Sequence, residues 1–155
     1  MRVIALVVVL LAVGGMTQAQ SPDEEMKKWA GYWKPQSVVF EGKEQMPDPS
    51  SRATITLVVQ DGEYRMYVLS DPKRKLHLRL FTAHLKLDPA SKSFELTVKD
   101  GDKKGQRRHG IYELKDGQLR LCYGPGEKPR PTKFEAPAGS EYFLETWTPD
   151  PEAKK

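Results

Sequence analysis

One cysteine and three histidines carry the groups most often used to attack a carbonyl, move a proton near neutral pH or hold a transition metal: Cys122, His77, His84 and His109. Their spacing does not organise them. The chain has no H-x-H pair and no H-E-x-x-H segment, so no metal site is expected. Cys122 alternates with Leu119, Leu121 and Tyr123 and shares a strand face with Arg120. A neighbouring cation lowers a thiol pKa, whereas apolar packing raises it and leaves the thiol inert. The inert, packed state is the expectation here. There is no G-x-S-x-G elbow and no glycine-rich loop opening a helix. The carboxylates fall in turns and on outward strand positions, so no acid–base pair stands out. These observations predict no catalytic residue and no cofactor, with an uncharacterised hydrolase as the enzymatic alternative. The aromatic residues remain. Trp33, Tyr64, Tyr67, Phe94, Tyr112 and Tyr123 lie on strand faces, where they can line a cavity for a small apolar ligand or fill it.

The N-terminus bears on the compartment. Met1-Arg2 is a short positive start, Val3 to Gly15 is uncharged and apolar, and Thr17-Gln18-Ala19 supplies small residues. This is the pattern of a secretory signal peptide over residues 1–19, cut between Ala19 and Gln20. The apolar run falls short of the ~20 residues needed to span a hydrocarbon core. The mature protein is therefore expected to be secreted or periplasmic and not integral to the membrane. The net charge of +4 is small for 155 residues and one less without Arg2, so nucleic acid is not an expected partner. The basic clusters at 73–75 and 103–109 read as solvated loops. A lone cysteine allows no intramolecular disulfide, so a packed core must supply the stability.

The elements that position these residues are mostly strands. Ser21-Pro22-Asp23-Glu24 starts a short helix ending near Ala30, with Met26 and Trp29 or Ala30 on its buried side. The apolar period then becomes two. Trp33 to Phe40 is the first strand, and Met46 to Arg52 reads as a loop. Thr54 to Gln60 and Glu63 to Leu69 flank Asp61-Gly62, the pair a tight hairpin prefers. Leu76 to Phe81 and Leu85 to Leu87 read as neighbouring strands. Phe94 to Val98, Ile111 to Leu114, Leu119 to Tyr123, a short Thr132 to Ala136 and Tyr142 to Thr148 complete the set. Asp100 to His109 reads as a polar connection. Eight or nine short strands joined by tight turns predict an all-β, up-and-down barrel over residues 20–148, with 149–155 a frayed polar tail.

Two stretches carry a resemblance. Gly31-Tyr32-Trp33 is similar to the G-x-W that opens the first lipocalin strand, where the tryptophan plugs one barrel end. Gly110-Ile111-Tyr112-Glu113-Leu114, then Leu121-Cys122, then Arg130-Pro131-Thr132-Lys133-Phe134 resembles the hallmark run of a lipocalin-like domain family of unknown function, found chiefly in exported planctomycete proteins. Ser37 to Lys43 and Leu87-Asp88-Pro89 fit the same pattern in order, whereas Ala83-His84-Leu85 departs from it. The resemblance implies a lipocalin-like barrel and transfers no catalytic residue.

The expected function is binding of a small apolar or amphipathic molecule. The alternative is a protein-interaction or inhibitor module of the cell envelope, with a filled barrel and a recognition surface at Asp100–His109 and Gly124–Pro131. Arg130, held extended between Pro129 and Pro131, is expected to brace the barrel mouth or to contact a partner.

Overall fold

A computed structural model describes residues 21–46, 48–52, 54–71 and 76–152. The expected signal peptide and the basic cluster at 73–75 lie outside the described residues. The described chain runs α1 (Pro22–Trp29), β1 (Gly31–Phe40), β2 (Lys43–Glu44), α2 (Pro49–Arg52), β3 (Ile55–Gln60), β4 (Glu63–Asp71), β5 (Leu76–Asp88), β6 (Ser93–Val98), β7 (Arg107–Lys115), β8 (Gln118–Pro125) and β9 (Phe143–Pro149). Each strand from β3 to β9 pairs antiparallel with the next, and β1 pairs with both β3 and β9. The result is a closed up-and-down barrel of eight strands, with β2 as an added short strand and α1 as the N-terminal helix. Among the described residues, closure leaves no long free edge for another chain to pair with.

The tight turns form where positive φ is tolerated. Asp61 and Gly62 take φ of 53° and 73°, and Asp116 and Gly117 take 51° and 75°. Both central residues in the left-handed region twist the turn in the same sense as its strands. Helix α1 starts where Ser21 accepts the Glu24 N–H at 3.2 Å, with proline next and acids in the first turn.

Several expected boundaries shift. Residues 76–88 form one strand, because a bulge at Leu80 lets the inward phase pass from Leu78 to Phe81 without breaking the ladder. His77 and His84 therefore share a strand. Residues 132–136 are not a strand. They belong to a loop lying on the outer face of β8, where Ala136 is buried and the Glu135 carbonyl accepts the Cys122 thiol at 3.3 Å. Residues 43–44 and 49–52 form β2 and the short α2 within the expected loop. The C-terminal boundary also moves. Strand β9 reaches Pro149, and the Asp150 N–H donates to the Tyr32 carbonyl at 2.8 Å, which fastens the start of the tail to β1.

The core sits at the end of the barrel that α1 covers. Trp29 is 0% exposed and meets the rings of Tyr112 and Phe94 edge-on, at 5.0 and 5.7 Å. Glu25, one turn earlier on the same face, is only 2% exposed and takes Lys92 at 2.9 Å and Lys28 at 3.3 Å. Burial works to raise its pKa, but the hydrogen-bonded ammonium groups of Lys92 and Lys28, with the Tyr112 hydroxyl nearby, outweigh it and hold the carboxyl below its usual range. Buried Glu25 was not expected from the apolar pattern of the helix, which pointed to Met26. Met26 packs only partly against the core.

Candidate functional site

The barrel interior is divided along its axis. At the α1 end most inward side chains are packed shut, although Leu114 is only partly buried. Trp33, Phe94, Leu119, Tyr112 and Trp147 are buried there. At the opposite end the inward residues keep accessible surface. Ile55, Met66, Phe81 and Phe143 are only partly buried. Leu78, which pairs with inward Val68, is 53% exposed. Strand β1 pairs with β3 over only three positions, Gly31 to Trp33. Beyond them the free side of β1 is served by β2 and by Glu44, whose carboxylate accepts from the Val38 N–H at 3.0 Å and the Met46 N–H at 3.1 Å.

Between the two ends lies a buried polar cluster. Glu145 alternates with Phe143 and Trp147 on β9, so it faces inward, and it is 2% exposed. One carboxyl oxygen accepts the Tyr123 hydroxyl at 2.6 Å. The other accepts the Trp147 N–H at 2.9 Å and the Tyr64 hydroxyl at 3.2 Å. Burial pushes the Glu145 pKa up, while the three donors and the nearby charge of Arg108 pull it back without cancelling the rise. Burial and the same carboxyl push the Tyr64 and Tyr123 phenols well above their usual value.

Arg108 stands on the open side of this cluster. The register of β6 and β7 pairs it with inward Leu96, and Gly110 with inward Phe94, so Arg108 also faces the interior. Its guanidinium carbon lies 5.4 Å from the Phe143 ring centre, 5.8 Å from Tyr123 and 5.9 Å from Phe81. These are cation–π distances. Gly110 makes the close packing of β7 and β8 possible, because a Cβ there would stand 2.2 Å from the Cys122 carbonyl oxygen and 2.9 Å from the Phe94 ring.

Of the aromatic candidates, Trp33, Tyr64, Phe94, Tyr112 and Tyr123 are all inward and all buried, so they fill the barrel rather than present an accessible wall. Tyr67 is different. It pairs with Thr56 between inward Ile55 and Leu57, which places it on the outer face. Register places His109 and Cys122 diagonally on the outer face of β7 and β8, but among the described residues no hydrogen bond joins Cys122 to a histidine. Cys122 is buried beneath the outer loop, and burial raises its thiol pKa. His84 is exposed, and the Nε2 of His109 lies 2.7 Å from the Lys128 carbonyl. The His77 side chain lies outside the described residues. Arg130 pairs with Glu95 at 3.3 Å, Pro131 is buried and Thr132 is exposed. Arg130 thus braces the outer loop against β6 through the Glu95 carboxylate.

Of the motif residues, Tyr112 and Leu114 face inward, while Ile111 and Glu113 face out. Glu113 borders a polar outer cleft of about 330 Å³ that also includes Lys115, Asp116, Gln118, Arg120 and Thr146. The side chains there carry both signs of charge.

Arg108 was expected on the recognition surface of the Asp100–His109 connection, but β7 begins at Arg107 and carries it into the interior; Glu145 was not among the expected site residues. Both could be found from phase alone: counting back by twos from Tyr112 and Gly110 reaches Arg108, and counting on from Phe143 reaches Glu145.

No family model matches the chain, and no curated protein matches it. Two solved structures are similar. One is an uncharacterized protein from Bacteroides eggerthii DSM 20697, with a TM-score of 0.47 and 16% identity, covering 79% of this chain and 99% of that one. The other is wild-type fluorescent protein UnaG, with a TM-score of 0.42 and 15% identity, covering 81% of this chain and 99% of that one.

Proposed function

We propose that this protein is an exported, lipocalin-like barrel that binds, without transforming, a small apolar or amphipathic molecule at the end opposite α1. The observation that carries this reading is the asymmetry of the interior. One half is mostly packed shut, while inward Ile55, Met66, Leu78, Phe81 and Phe143 keep accessible apolar surface in the other. Apolar surface held in a concavity gains free energy when a ligand displaces its water, about 25 cal/mol per Å² covered. The tyrosines and Trp147 commit their polar hydrogens to Glu145, so the polar cluster floors the site without competing for its occupant. Export rests on the residues 1–19 pattern, and the reading as a binder rather than a catalyst is supported by the burial of Cys122 and by the backbone carbonyls that engage Cys122 and His109.

Native mass spectrometry tests the proposal. Protein purified without detergent or solvent should carry a noncovalent small-molecule mass, or take one up from a lipid extract of its host. A chain that stays bare in both conditions would speak for the filled-barrel interaction module instead.

A further inference from the structure

Resting on the binding reading above, we infer that Arg108 is the headgroup subsite of the open end, and that the molecule bound there is a monocarboxylate with an apolar tail. The argument begins with unspent hydrogen-bonding capacity. A guanidinium offers five N–H donors in a planar fork, and a carboxylate matches that fork with two parallel bonds. Arg108 faces the interior, and its neighbours are the rings of Phe81, Tyr123 and Phe143. Aromatic faces stabilise its charge, and the Tyr123 hydroxyl oxygen answers only one of its five donors. Among the described residues it forms no ion pair, although other arginines do: Arg65 with Glu63, Arg79 with Asp100 and Arg130 with Glu95.

The interior carboxyl that could neutralise Arg108 is already engaged. Glu145 receives Tyr123, Trp147 and Tyr64, and its oxygens are turned to those donors rather than to the guanidinium. Burial also favours its neutral form. The interior therefore presents a positive group with donors to spare, set among aromatic and apolar side chains. A bare hydrocarbon leaves those donors unanswered, and a cation is repelled. An anionic head on Arg108 with its tail along Met66, Leu78 and Phe81 satisfies both the charge and the surface.

The test compares dodecanoate with 1-dodecanol, which share a chain length and differ in the head. Each displaces the neutral fluorescent probe N-phenyl-1-naphthylamine from the purified protein at pH 8. Dodecanoate should displace the probe at a concentration about tenfold lower than the alcohol, the gain expected for one charge-assisted hydrogen-bonded pair. The preference should fall with added salt and approach one in Arg108→Gln. Arg108→Lys keeps the charge but loses the fork, and its preference should drop several-fold, which keeps the test open if the glutamine variant does not fold. Equal displacement by acid and alcohol in the native sequence overturns the headgroup assignment while leaving the binding site standing. So does a preference that survives both substitutions. Failure of the probe to bind at all removes the binding reading itself, and this inference with it.

Discussion

The indole N–H of Trp33 donates to the backbone carbonyl of Trp29 at 2.8 Å. This bond joins the last turn of α1 to the first strand of the barrel, and it uses a helix-end carbonyl that has no intrahelical partner. The helix is thereby fixed as a plug rather than left as a trailing segment, and the barrel has one closed end and one open end. Replacing Trp29 with alanine should remove the plug and cost about 3–5 kcal/mol. Urea denaturation followed by circular dichroism measures it, and a cost below 1 kcal/mol would mean that α1 is peripheral.

Glu25 should make the docking of that helix acid-sensitive. Its folded pKa is held below the unfolded value of 4.5, so its contribution is present above that pH and is lost as pH falls through the lowered folded value. Glu25→Gln should therefore be about 1–2 kcal/mol less stable than the native sequence at pH 7. The difference should close on acidification below pH 4.5. Parallel urea titrations from pH 7 to pH 3 would show this convergence, and a gap independent of pH would contradict it.

Glu145 has the opposite sign. Its folded pKa is raised, so the fold binds its proton more tightly than the unfolded chain does, and stability declines as pH rises from 4.5 through the folded value. Glu145→Gln can keep its oxygen on Trp147 and Tyr64 and turn its amide towards Tyr123, whose hydroxyl can accept. The variant should gain on the native sequence as pH rises across that window. Glu145→Ala leaves the Trp147 N–H and two phenols without their acceptor and should cost about 2–4 kcal/mol. Chemical denaturation at pH 4, 6 and 8 separates the two variants.

The barrel was largely legible in the sequence, because a period of two and Asp-Gly turns are local signals. What escaped were features set by neighbours far away in the chain. The Leu80 bulge hid one long strand, since the leucine phase of Leu76, Leu78 and Leu80 differs from that of Leu85 and Leu87 and reads as a break. Tyr67 was misplaced because an aromatic residue on a strand suggests the interior, but only the Thr56 pairing fixes its face. Arg108 was read as part of a solvated recognition loop and Glu145 was passed over, because a charged residue is assumed to face water. Their inward placement depends on stabilising partners from other strands, Tyr64 and Tyr123 among them.

Gly110 belongs to the motif that first drew the lipocalin-like resemblance, and its role is steric. A methyl group there meets backbone, the Cys122 carbonyl oxygen, which cannot swing aside. Gly110→Ala should cost about 3 kcal/mol or prevent folding. Gly117→Ala, where a Cβ meets nothing within 4 Å, carries only the strain of its positive φ and should cost less. Thermal midpoints of the two variants give the order.

Cys122 should behave as a packed thiol. Burial raises its pKa, and the outer loop covers it. Iodoacetamide at pH 8 should label it at least about a hundredfold more slowly in the folded protein than in urea, as expected of a protonated, inaccessible sulfur. Rapid labelling of the folded state would place the thiol in a reactive setting.

The central claim is that the open end of the barrel is a binding site, and a fluorescence titration with N-phenyl-1-naphthylamine tests it most directly. The account predicts a saturable, one-to-one rise in emission that is lost when Leu78 and Phe81 are both replaced by aspartate in a variant that still folds. A linear, unsaturable response, or saturation indifferent to those two substitutions, would contradict it.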